Sequence, residues 1–172
     1  MLKIYEEYQK HGIDNYYKNF SEEYFNPHQE KIEKIYLKYI KDIIHTDNTV
    51  LDLASGDGLI SKLIKKYNKN HNVIGCDPYF FNNFNELHLT FEEIAKGELN
   101  KFNKNYEITI CSYAFHLLDK KWHYDFLTQL GMITNKFIII TPSKKIDINH
   151  FMWTVEKYIR EDKVTIIILN KN

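Results

Sequence analysis

The chain has 172 residues, of which 44% are hydrophobic, 15% aromatic and 27% charged; this is the make-up of one globular domain with a real core, which excludes a disordered chain and leaves little room for a separate substrate-binding module. Its 23 basic and 23 acidic side chains cancel, so the whole-molecule field does not steer it toward nucleic acid or an anionic membrane. Met1 to Lys10 carries Glu6, Glu7 and two tyrosines without a continuous apolar stretch, which fits neither a signal peptide nor a membrane span and points to the cytoplasm.

Asn26-Pro27-His28-Gln29 has the residues of a helix start, with Asn26 as cap, Pro27 in the first helical position and Gln29 completing a capping box. Ile32, Ile35, Tyr36, Tyr39, Ile40 and Ile43 then follow the three-four spacing of one buried face until Thr46-Asp47-Asn48 breaks it. Thr49 to Leu53 reads as a first strand, Ala54-Ser55-Gly56-Asp57-Gly58 as a turn, and Leu59, Ile60, Leu63, Ile64 and Tyr67 as the inner face of a second helix. His71 to Cys76 is the second strand, Asp77 to Glu86 a loop or weak helix, and Leu87 to Leu89 a short third strand. Thr90 with Glu93 forms a capping box for a further helix. Ile108 to Ser112 is the fourth strand, a helix capped by Asp119 runs to about Gly131, and Lys136 to Thr141 is the fifth strand. Val164 to Leu169 closes the series as a sixth or seventh strand. Between these two, Phe151, Met152, Val155 and Ile159 fit a helix face, whereas Val155, Lys157 and Ile159 fit strand alternation; an edge hairpin is the expectation.

Strands alternating with helices, several of them apolar on both faces, mean a mostly parallel sheet with helices on both faces, so the fold class is α/β. Cys76 and Cys111 then fall on strands separated by a third, about twice the strand spacing apart and too far for a disulfide.

In such sheets ligands bind beyond the carboxyl ends of the strands, where strand order reverses. The 54–58 turn belongs there: Gly56 and Gly58 let the backbone approach a ligand closely, and the following helix presents free N–H groups. Asp77 ends the second strand close to the roughly 20-residue spacing at which an acid meets ribose hydroxyls. Charge selects the cofactor. A dinucleotide would bring its pyrophosphate beside Asp57 and Asp52, which is unfavourable, and Ser61 replaces the third glycine of the G-x-G-x-x-G pattern. S-adenosylmethionine carries a sulfonium and an ammonium and no phosphate, so the same acids favour it.

Val50-Leu51-Asp52-Leu53-Ala54-Ser55-Gly56-Asp57-Gly58 and Gly75-Cys76-Asp77-Pro78 resemble the first motif and the second-strand acid of the class I S-adenosylmethionine-dependent methyltransferases. Ile108 to Leu118 resembles the fourth-strand segment of their small-molecule branches, and the resemblance spans about Val50 to Ser143. The Asn-Pro-Pro-Tyr type of sequence used on nucleic-acid or protein amines is replaced here by Cys111-Ser112-Tyr113-Ala114. More narrowly, Tyr24-Phe25-Asn26-Pro27-His28, Phe91-Glu92-Glu93-Ile94-Ala95-Lys96-Gly97 and the His116 segment look like a little-characterised branch found in microbes and fungi. Ala54 departs from the motif, whose first position is usually glycine.

This resemblance implies one methyltransferase-like domain over residues 1–172, with a helical cap at 1–48 and a Rossmann-like core at 49–172, strand order 3-2-1-4-5-7-6 and an antiparallel C-terminal strand. It implies that Ala54, Ser55, Gly56 and Gly58 contact the methionine end, Asp77 the ribose diol and Phe91 the adenine, with Asp52, Pro78 and Ser112 completing the cofactor shell. Phe91 fits a core role equally well. His116 and Tyr113 are the candidate catalytic residues and His28 and Tyr24 the candidate substrate contacts; each also reads as a packed side chain. No metal site is expected, since His116 and His123 are too loosely spaced for zinc, and the lysine pairs 65–66, 120–121 and 144–145 read as solvated faces. The expected activity is methyl transfer from S-adenosylmethionine to a small molecule. A cofactor-binding module serving as another protein's partner subunit, or a nicotinamide-dependent reductase, are the alternatives.

Overall fold

The computed structural model describes residues 12, 15, 26–79 and 85–172. Seven strands form one sheet: β1 (Val50–Leu53), β2 (Val73–Cys76), β3 (Asn85–Leu87), β4 (Tyr106–Ser112), β5 (Thr134–Thr141), β6 (Trp153–Glu161) and β7 (Val164–Lys171). Their order is 3-2-1-4-5-7-6, parallel from β3 through β5, with β7 antiparallel to both β5 and β6. The expected strand order, the antiparallel C-terminal strand and the edge hairpin are all present.

Alternation along the strands builds two cores. Leu51, Leu53, Cys111, Phe137, Ile139, Ile167 and Leu169 face one side, under α3 (Phe91–Ala95) and α4 (His123–Ile133). Val50, Ile108, Ile110, Ile138, Ile140, Ile166 and Ile168 face the other, under α1 (Gln29–Ile35) and α2 (Leu59–Asn68). Because both faces are covered, a period-2 strand has no polar side to show, and the central strands read as unbroken apolar runs. Only the edge strand β6 is largely exposed, and a bulge between Val155 and Lys157 interrupts its ladder.

Several boundaries differ from expectation. Asn26 does not cap the first helix: its Oδ1 accepts from His28 N at 2.9 Å in an Asx turn, and the first helical bond is Ile32 N to His28 O, 2.9 Å. That helix changes pitch, widening to a π-helix over Tyr36–Ile40 and tightening to a 3-10 turn over Lys41–Ile43. The second strand begins at Val73, because His71 and Asn72 are exposed and lie before the ladder. The third strand is Asn85–Leu87, two residues earlier than expected, since buried Asn85 and Leu87 are the residues that pair with Gly75 and Cys76. Asp119 caps a 3-10 turn, Lys120–Trp122, which leads into α4, and α4 continues to Ile133.

The Thr90 capping box forms in full: Thr90 Oγ1 accepts from Glu93 N at 3.2 Å and Glu93 Oε2 accepts from Thr90 N at 2.8 Å. Thr90→Ala removes half of this exchange from a helix of five residues, and urea unfolding should show a loss of about 1 kcal/mol.

Candidate functional site

Register sets the site. Leu53 pairs with Cys76 on one side and Cys111 on the other, so β1, β2 and β4 end at one level. Ala54, Asp77 and Ser112 therefore emerge side by side, and both cysteines are free and buried, one on each side of β1.

The turn after β1 is short because three of its residues are left-handed: Ala54 (φ 53°), Gly56 (φ 53°) and Gly58 (φ 78°). Glycine takes this conformation at no steric cost, whereas alanine pays on the order of 1 kcal/mol. This is the physical reason that glycine suits position 54. Ser55 N donates to Cys76 O at 3.2 Å and Gly58 N to Ser55 O at 2.9 Å, which ties the turn to β2 and places Gly58 at the start of α2.

Asp77 closes the other side. Its Oδ2 accepts from Gly56 N at 2.9 Å and its Oδ1 from Tyr79 N at 2.9 Å, so one carboxylate holds the turn and the loop after β2 together, with Pro78 between them. Asn85, which sequence reasoning left in a loop, sits beneath: it accepts from Ser55 Oγ and donates through Nδ2 to Gly56 O at 3.1 Å. Its partners lie some thirty residues away in the chain, and no local signal marks it.

Asp52 points to the α2 side, alternating with Leu51 and Leu53, and is only 1% exposed. Its Oδ2 accepts from Ser61 N at 2.9 Å and Ser61 Oγ at 2.7 Å. Burial raises its pKa to about 7; the Ser61 hydrogen bonds oppose this, and the charges of Asp77 and Asp57 add to it. Ser61 is thus more than a missing third glycine, because it fixes the carboxylate that closes β1. Asp57 at the turn's surface pairs with Lys62 at 3.5 Å.

At the end of β4, Ser112 Oγ is buried without a hydrogen-bond partner among the described residues. Tyr113 follows with φ 57°, its N–H donating to Ile140 O at 2.7 Å, and its ring stacks on His28 at 4.5 Å and 24°. Sequence reasoning had assigned these two rings to the acceptor side separately, and the fold brings them together. Burial pushes the Tyr113 phenol up to about 12, against the opposing charge of Arg160, so it is a donor at neutral pH. Burial, and then the nearby Lys31 charge, lower the His28 pKa. His116 is the exposed residue of the 3-10 turn Phe115–Leu117, whose Phe115 is buried, and neighbouring atoms still desolvate its ring enough to lower its pKa.

Phe91 starts α3 half-buried, its ring edge-on to Phe126 at 5.5 Å and 78°. It therefore braces the core and keeps part of its surface outside. Tyr24 lies outside the described residues. No group of three or more metal-ligating side chains occurs among the described residues, nor a helix long and apolar enough to cross a membrane.

No family model and no curated protein matches the sequence. Solved structures do match in fold. Magnesium protoporphyrin IX methyltransferase from Synechocystis PCC 6803, solved with bound S-adenosylmethionine, aligns over 84% of this chain and 80% of its own at 13% identity, TM-score 0.54. An O-methyltransferase family protein from Burkholderia thailandensis aligns over 94% of this chain at 10% identity, TM-score 0.64, and the chain spans 60% of its length. A ribosomal protein L11 methylase from Lactobacillus delbrueckii subsp. bulgaricus aligns over 87% and 81% at 9% identity, TM-score 0.52. The chain has the class I S-adenosylmethionine-dependent methyltransferase fold.

Two outcomes follow from the turn and its buried acid. Ala54→Gly relieves a left-handed alanine and should raise the unfolding free energy by about 1 kcal/mol in chemical denaturation. The folded-state pKa of Asp52 lies above its ordinary 3.8, so the folded state binds this proton more tightly. The resulting stability is complete below pH ~4 and is lost as pH rises through ~7. Asp52→Asn lacks this dependence. In paired thermal melts, its stability relative to the parent should climb between those pH values and level off above them.

Proposed function

We propose that the protein is a cytoplasmic methyltransferase of one domain, residues 1–172, that binds S-adenosylmethionine between the 54–58 turn and Asp77 and methylates a small molecule. The observation that carries this reading is the charge of the crevice. Asp57 and Asp77 flank a left-handed glycine turn, with Asp52 buried behind it, and the nearby cation, Lys62, already pairs with Asp57. Such a site repels a pyrophosphate and suits a cofactor with a cationic polar end. Ser112 Oγ, a buried hydroxyl with no partner among the described residues, fits the same conclusion, since such a group ordinarily finds one.

S-adenosylmethionine supplies a methyl group activated on a sulfonium sulfur. Asp77 would accept the ribose hydroxyls, exchanging some of its present N–H partners for them. Ala54, Ser55, Gly56 and Gly58 would hold the methionine end through their backbone, Pro78 the ribose side, and the outer part of the Phe91 ring the adenine. Asp52, bound to Ser61, holds the start of α2 in place beneath. On the acceptor side Tyr113 would donate a hydrogen bond and His28 would cover the substrate. His116, whose lowered pKa keeps it neutral at pH 7, takes a proton where the nucleophile carries one. Alignment and exclusion of water do the rest.

A second reading, cofactor binding without turnover as a partner subunit, is favoured by one observation: the His28 and Tyr113 rings stack on each other where an acceptor would lie. Turnover assays against small-molecule panels separate the two.

Isothermal calorimetry tests the cofactor. S-adenosylmethionine and S-adenosylhomocysteine should give saturable heat and NADH none, and Asp77→Ala should weaken S-adenosylmethionine by ~10-fold or more. Heat from NADH alone would end the reading.

A further inference from the structure

Arg160 is the only arginine in the chain. It stands near the end of β6, paired with Thr165 at the start of β7, and Thr165 in turn pairs with Thr141 at the carboxyl end of β5. Ser112 pairs with Ile140 on the preceding strand. The guanidinium thus belongs to the same edge of the sheet as the candidate site, on its far side from the cofactor turn.

Its position is fixed by one nitrogen. Nη1 donates to Thr165 Oγ1 at 2.6 Å, Ser143 O at 3.1 Å and Pro142 O at 3.2 Å. Thr165 is fully buried and donates onward to Ser143 O at 2.7 Å, while Tyr158 OH clamps Lys144 O at 2.5 Å. The loop after β5 is therefore held to the hairpin, and the guanidinium is locked in one orientation. Nε and Nη2 carry the remaining N–H donors of the fork, and among the described residues no carboxylate pairs with them. The adjacent Glu161 carboxylate is occupied by Lys38 at 2.6 Å and by Tyr39 OH. Arg160 is exposed, and the fork it presents in this fixed orientation matches a carboxylate or phosphate bidentately.

Resting on the methyltransferase reading, we propose that Arg160 is the acceptor-recognition residue, so that the substrate is a small molecule carrying a carboxylate or phosphate group. The electrostatics agree: Asp57 and Asp77 lie on the cofactor side and the Arg160 cation lies across the edge, so an anionic acceptor is drawn away from Asp57 and Asp77 and oriented by its charged end. Tyr113, which follows β4 at the same end of the sheet, adds a neutral donor.

A lone arginine gives a single unambiguous Nε–Hε signal in ¹H–¹⁵N spectra of the full chain, which serves as the probe. Benzoate, phenyl phosphate and the neutral benzamide are titrated in turn, with S-adenosylmethionine calorimetry on the same sample. Benzoate or phenyl phosphate should move the Arg160 signal and benzamide should not; which anion binds more tightly decides between carboxylate and phosphate. Arg160→Gln should weaken the better anion by ~10-fold or more without altering S-adenosylmethionine affinity, and Arg160→Lys, which keeps the charge and guards against a folding defect, should recover part of it. An unmoved signal, or an equal response to benzamide, overturns the assignment even when the cofactor binds. An anion response without cofactor heat overturns the methyltransferase reading and with it the acceptor role.

Discussion

The arrangement of the site depends on β1 being clamped in register between two parallel neighbours. With Leu53 level with both Cys76 and Cys111, three strands stop together, and the backbone leaving each of them enters the same space. A one-residue slip would turn every side chain of β1 to the opposite face, sending Asp52 into the wrong core and separating the turn from Asp77. The hydrogen bonds at the strand ends then work on a preset geometry. Ser55 reaches β2, Asp77 reaches back to Gly56, and Asn85 braces both from below.

Within that frame the acids divide their labour by burial. Asp52 is wholly enclosed and satisfied by Ser61, so it acts on the junction of β1 and α2. Asp77 is almost as buried but holds exchangeable backbone donors, and Asp57 stays at the surface with Lys62. A chain of zero net charge thereby acquires a local polarity along one edge of its sheet, acidic at the turn and cationic at Arg160. The overall charge balance hides this, because long-range cancellation says nothing about the few ångströms over which a ligand is held.

The solved neighbours share 9–13% of their residues with this chain and still superpose over most of it. That is what a fold defined by period and register allows: both sheet faces need only apolar residues of suitable volume, and the identity of each is free. The names of those neighbours point to a porphyrin for one and a ribosomal protein for another. The sheet they share therefore does not set the acceptor, and the residues that differ around it are where a choice can lie.

Local patterns were readable from the residues alone wherever the controlling forces are local. Apolar runs named the strands, the Thr90-Glu93 spacing named a cap, and the glycine turn between apolar runs named the strand-turn-helix-strand unit from Val50 to Asp77, because alternation, capping and turn chemistry each act within a few residues or one such unit. Misread features were those in which distant groups compete. Asn26 bonds its neighbour rather than capping the helix, the third strand shifts to the residues that meet Gly75 and Cys76, and Asn85 and Ser61 become parts of the site only once Ser55, Gly56 and Asp52 are brought to them. The same holds for Arg160, which in sequence is one more charge on an exposed strand. Only the pairing of β7 with β5 sets it against Thr165 and Ser143, since hydrogen bonds reach about 3 Å and nothing short of the folded sheet brings those groups within that distance.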